Sequence, residues 1–150
     1  MTSEAETRQV VVAGVDGSAE SVAALGWAVR YGKATGAAVR AVHAWHYPAA
    51  AGVPPVGVTP APVEAEVEQR LRDDLEKAVG QVCPDPSAAR PEILLRYGHP
   101  AEVLIAESQD ASLLAVGHRG HRAVTGLLIG SVAFQCINSA SCPVVVVRSG

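Results

Sequence analysis

The sequence predicts an α/β fold: a single doubly wound domain whose five-stranded parallel sheet has the order 3-2-1-4-5, with helices on both faces. Two observations predict it. Short apolar runs of strand length alternate with segments of helical period, the pattern of parallel strands joined by crossover helices. Glycine-bearing loops follow the first and the fourth strand, and open α/β sheets bind ligands beyond strand ends where the strand order reverses. If both loops belong to one site, those strands are neighbours. That selects 3-2-1-4-5 over the flavodoxin-like 2-1-3-4-5.

Val10 to Val15 is a nearly continuous apolar run, as expected of a strand buried on both faces. Asp16-Gly17-Ser18 breaks it. A helix then starts with Ser18 as N-cap, which puts Val22, Leu25 and Val29 on one face. Gly32 and Gly36 offer stops, and a second strand runs from Ala38 to about Trp45. Between Tyr47 and Pro62 stand five prolines, Pro48, Pro54, Pro55, Pro60 and Pro62. Such a stretch sustains neither a helix nor a central strand and reads as a surface excursion. Val63, Val67, Leu71, Leu75, Val79 and Val82 then recur at helical spacing, giving a long amphipathic helix ended by Cys83-Pro84-Asp85-Pro86.

A third strand spans Glu92 to Tyr97, and Pro100 suits the first turn of a helix running to about Ser108. Ser112 to Val116 is a fourth strand, stopped at Gly117. A last helix begins at Gly130-Ser131, and Pro143 to Arg148 is the closing strand. Residues 1–150 read as one domain, with 1–8 expected to be flexible and 47–62 a proline-rich loop.

At 150 residues, 49% of them hydrophobic, the chain has material for one core of ordinary size. Its formal charge of −3 lacks the basic footprint of phosphate-backbone binding, which argues against nucleic acid as a partner. Cys83, Cys136 and Cys142 form no CxxC pair, and their odd number reads as free thiols acting as small buried hydrophobes in a reducing compartment. Met1 to Gln9 lacks the pattern of a signal peptide. No apolar run approaches the roughly 20 residues that span a bilayer. The expected location is the cytoplasm, with no membrane partner.

Chemistry concentrates in the two loops. After the first strand comes Asp16-Gly17-Ser18. After the fourth comes Gly117-His118-Arg119-Gly120, then nine residues, then Gly130-Ser131. Glycines let a backbone approach a ligand closely, and successive turn amides form an anion-binding concavity. Gly130-Ser131 adds the free N–H groups and the dipole end of a helix start, and Ser131 a hydroxyl.

The arrangement G-x2-G-x9-G-[S/T] resembles the ATP-binding signature of the universal stress protein family. Val11 to Ser18 resembles that family's first strand and turn, Gly98-His99-Pro100-Ala101 its third-strand exit, and Cys142 to Arg148 its closing strand. The resemblance covers essentially the whole chain. It implies that Asp16 binds the adenosine part, with Val15 beside it and Ala44 lining the adenine pocket. Val116 and Gly117 would border base and ribose. Gly120, Gly130, Ser131 and Val132 would hold the phosphates of ATP, or of AMP or ADP, through amides and one hydroxyl. At Asp110-Ala111-Ser112 the sequence departs from the family, whose members commonly place an aspartate just before the fourth strand.

Plainer roles stand beside these. Asp16 also reads as a turn residue capping the first helix, and Ser131 as an N-cap, a role compatible with phosphate contact. His118, Arg119, His121 and Arg122 either attract phosphate or stand as solvated loop charges. His43 and His46 show no metal-ligand spacing, so no metal site is expected. Trp27 and Trp45 read as packing.

The implied function is an adenine-nucleotide-binding stress-response or regulatory protein with little catalysis and no catalytic residue assigned. Magnesium would be held mostly by phosphates and water. A slow ATP hydrolase is the first alternative, but no G-x4-G-K-[S/T] loop supplies a lysine for the terminal phosphates. The second is a dimeric scaffold that binds no nucleotide. Pro143 to Arg148 falls at the sheet's edge, and an apolar edge invites pairing. The family resemblance implies a homodimer in which two such strands pair about a two-fold axis.

Overall fold

The computed structural model describes residues 8–46, 61–85, 87–120 and 129–149. The elements are β1 (Val10–Gly14), α1 (Ala19–Thr35), β2 (Ala38–Trp45), α2 (Ala61–Val82), β3 (Glu92–Tyr97), α3 (Pro100–Glu107), β4 (Leu113–Gly117), α4 (Ser131–Ser139) and β5 (Val144–Val147). Residues 1–7, most of the expected proline-rich loop, Pro86, His121 and Arg122 lie outside the described residues.

β1 holds the centre of the sheet because its valines tolerate burial on both faces: Val11, Val12 and Ala13 are wholly buried. Val11 pairs with Val39 of β2 on one side and with Leu113 of β4 on the other, both in parallel. β3 flanks β2 and β5 flanks β4, so the order is β3-β2-β1-β4-β5, as the two-loop argument requires.

Side chains of successive strand residues face opposite ways, and each face has its own core. Val11, Ala13, Ala41 and Ala115 pack with Leu25 and Val29 of α1 and Leu75 and Val79 of α2. Val12, Val42, Leu114 and Val116 pack with Leu104 of α3 and with Ala133 and Cys136 of α4. Burial on the second face pushes the Cys136 thiol up to about 11, with a smaller contribution from Cys142. Cys83 is likewise buried, whereas Cys142 is only half-buried.

Local signals set the helix ends. Ser18 caps α1 by accepting the Ser21 N–H at 3.2 Å. The helix runs through Gly32 and stops at Gly36, which has φ of 80°. Other boundaries move by one or two residues. Helix α2 already begins at Ala61, so Ala61 and Pro62 belong to its first turn rather than to the preceding loop. β4 starts at Leu113 and keeps Gly117, because that residue still pairs with Val147. Pairing confines β5 to Val144–Val147. Asp110 sits at the far end of the sheet, where it pairs with Arg40 at 3.4 Å. Among the described residues, no helix is long and apolar enough to cross a membrane.

Candidate functional site

The turn after β1 is built by its own side chains. Asp16 Oδ1 accepts the Ser18 N–H at 2.9 Å and the Ser18 hydroxyl at 2.5 Å. Ser21 Oγ accepts the Asp16 N–H at 3.1 Å and donates to Ser18 O at 2.9 Å. Asp16 therefore does shape the turn, but it leaves the helix cap to Ser18. Gly17, at φ of 85°, makes the reversal possible.

The second loop starts where β4 ends and closes on itself. His118 donates its N–H to Val147 O at 2.8 Å and accepts the Gly130 N–H at 2.7 Å, so the two ends of the glycine loop meet. Gly130, not Ser131, is the N-cap of α4, with φ of −70°; Ser131 is the first helical residue. A glycine cap has no side chain to offer the first-turn amides of α4, which by helix geometry have no intrahelical acceptor.

Gly120 joins the loops. A Cβ on Gly120 would stand 2.6 Å from Asp16 Oδ2, so the loop backbone lies directly against that carboxylate. Gly117 faces the other way. A Cβ there would stand 2.9 Å from Glu20 C and 3.0 Å from Ser21 N, against the first turn of α1.

Strand alternation decides which expected residues share a face. Val116 lies on the α3/α4 side. Ala44, two residues beyond Val42 in β2, falls on that side too, whereas Asp16 lies past the end of β1, in the turn. Val15 is not on that side; its side chain is buried in the α1/α2 core, while its carbonyl lies 2.6 Å from His43 Nδ1. The Val132 side chain packs into the α3/α4 core, so its main chain is what it can offer a ligand. The two loops thus meet beyond the C-terminal ends of β1 and β4, where Gly120 lies against Asp16. A cavity of about 370 Å³ opens behind the Asp16-Gly17 turn, on the α1/α2 side between His43 and α2. A larger one, about 610 Å³, is remote from both loops, at the starts of β1 and β2.

Two residues that the sequence reading left out take part. Ser21 is buried and bonds the turn from within. Glu20 Oε2 accepts the Arg119 N–H in the glycine loop. An acid in a first helical turn signals only the helix dipole, so this long-range contact has no sequence signature.

What the arrangement offers chemically is recognition: a carboxylate, main-chain N–H groups, a helix N-terminus and a hydroxyl. Fold and site together define a doubly wound α/β protein whose two polar loops meet where the strand order reverses. The chain belongs to the universal stress protein family, which matches residues 7–148. A universal stress protein of Mycolicibacterium smegmatis is 33% identical over 146 residues, covering 95% of this chain and 47% of the relative. The chain therefore spans about half the length of such relatives. Among solved structures, a universal stress protein in complex with cAMP is 26% identical, with a TM-score of 0.58 over 93% of this chain and 95% of that one. One from Archaeoglobus fulgidus in complex with dAMP is 23% identical, with a TM-score of 0.63 over 93% and 97%.

Proposed function

We propose that the chain binds an adenine nucleotide, foremost ATP, in the crevice between the two loops and serves as a cytoplasmic stress-response or regulatory protein with little turnover. One observation carries this reading: the glycine loop abuts the Asp16 carboxylate at Gly120, so an acid suited to a nucleoside and a loop suited to an anion stand side by side. The nucleoside lies toward Asp16 and Ala44, bordered by Val116 and the main chain of Val15 and Gly117. The phosphates lie along the amides of Gly120, Ser131 and Val132, with the Ser131 hydroxyl as a further donor, while Gly130, whose own N–H goes to His118 O, lets the backbone approach them without a side chain. The cAMP-bound relative supports the ligand class. Magnesium enters on the phosphates; among the described residues, no three His, Cys, Asp or Glu side chains gather to hold an ion.

ATP with magnesium is expected to raise the melting temperature. At a hundredfold excess over Kd the stabilisation should be about 2.7 kcal/mol. Calorimetry with ATP, ADP, AMP and cAMP checks this, and silence for all four would remove the reading.

The same reading includes a homodimer through β5. This strand has a neighbour on one side only, and Val144–Val147 are all half-buried. Phe134 and Ile137 of α4 stand 56% and 50% exposed, adding apolar surface on the helix that packs against β5. A second copy pairing β5 to β5 would cover the edge. Light scattering should give twice 15.5 kDa at micromolar concentration, and a monomer mass would refute the pairing.

A further inference from the structure

We propose that Glu20 is a positioning residue for the glycine loop, holding it from the side opposite the nucleotide. This rests on the nucleotide-binding reading only for its effect on affinity; the structural part stands apart from it. Glu20 lies in the first turn of α1, and the close approach of Gly117 to the Glu20 and Ser21 backbone brings that turn under the end of β4. From there the carboxylate spans two segments. Oε2 accepts the Arg119 N–H, and Oε1 lies 3.5 Å from Ser149 Oγ, just beyond β5. One side chain thus links α1, the first turn of the loop and the exit of the edge strand.

The face matters. Gly117 turns its Cβ position toward α1, whereas Gly120, three residues on, turns its own toward the Asp16 carboxylate. The Arg119 N–H is directed to Glu20, so this amide is withdrawn from the phosphate set and used to fix the loop. A helix-dipole role alone would need no partner 99 residues away. An amide bonded to a carboxylate is among the stronger hydrogen bonds, so its loss should free the loop's first turn.

The test uses Glu20→Ala and Glu20→Gln in the whole chain, with circular dichroism confirming the fold of each. Glutamine keeps an acceptor oxygen; alanine keeps none. Without nucleotide, hydrogen exchange at the Arg119 amide should quicken about tenfold or more in Glu20→Ala and much less in Glu20→Gln. With ATP, affinity should fall about tenfold in Glu20→Ala and be largely retained in Glu20→Gln. If neither variant alters Arg119 exchange, the positioning role is overturned whatever the nucleotide does. If exchange responds as stated but the wild type binds no nucleotide, the functional reading fails and the positioning role stands. Tighter ATP binding by Glu20→Ala would overturn the proposal in another way, making Glu20 a competitor of phosphate.

Discussion

Replacing Gly117 with alanine is expected to lower stability by about 3 kcal/mol, the upper part of the range for overpacking a close contact. The contact is with backbone. A Cβ would lie 2.9 Å from Glu20 C, 3.0 Å from Glu20 O and 3.0 Å from Ser21 N. No rotamer change relieves it, because those atoms form the first turn of α1, which Ser18 caps and Ser21 ties to the Asp16 turn. Relief requires either α1 to lift from the sheet or the end of β4 to bend away from Val147. For a chain of this length such a loss lowers Tm by about 6–12 °C. Urea unfolding with an unchanged m-value would show the loss directly. A variant as stable as wild type would mean that the β4–α1 junction is looser than these distances describe. This packing role is one the motif does not suggest. The first glycine of the loop serves the packing of α1 as well as any main-chain contact it makes with a ligand.

The strands were legible because buried parallel strands leave a composition signal. Val10 to Val15 and Val144 to Val147 are nearly continuous apolar runs, and each became a strand. Strand order was legible by a different route, since two polar loops make one site only if β1 and β4 are neighbours. Ends were less so. Gly117 reads as a stop, yet its N–H and C=O groups are as good as any for pairing, and the ladder to Val147 continues through it.

At the site, residue type suggested which groups matter but not which way they face. Val15 belongs to the motif, but alternation sends its side chain into the α1/α2 core. Ser131 has the chemistry of an N-cap, but the helix begins one residue earlier, so Gly130 takes that position. Glu20 was invisible, because its partner is nearly a hundred positions away and no local rule links them. Gly130 also changes meaning. Its φ of −70° suits any residue, so no left-handed conformation demands glycine. A Cβ there would instead meet His118 O and Arg119 Cα, each at 3.2 Å. Gly130→Val would therefore disturb loop closure as well as the proposed phosphate approach, which makes it an ambiguous test of either.

Gly120→Ala separates the two effects. Its Cβ would meet the Asp16 carboxylate at 2.6 Å, so that side chain must move, and moving it strains or breaks the bonds from Ser18 to Oδ1. The fold should lose only about 1–3 kcal/mol, the range from straining to losing a hydrogen bond to a charged group. If Asp16 binds the nucleoside, the variant should lose about 10- to 100-fold in affinity for ATP, because a charge-assisted contact is displaced. Adenosine should weaken equally, since Asp16 acts at the nucleoside end and not on the phosphates. A double-mutant cycle sharpens the point. Asp16→Ala removes the atom that Gly120→Ala collides with. The double variant should therefore bind no worse than Asp16→Ala alone, and the single losses should not add. Additive losses would mean that Gly120 serves the ligand directly, through its approach to phosphate. A folded Gly120→Ala protein that binds ATP as wild type does, while Asp16→Ala fails to, would show that the carboxylate moves aside at no cost to its grip on the nucleoside. The coupling between the loops inferred from that close contact would then be absent.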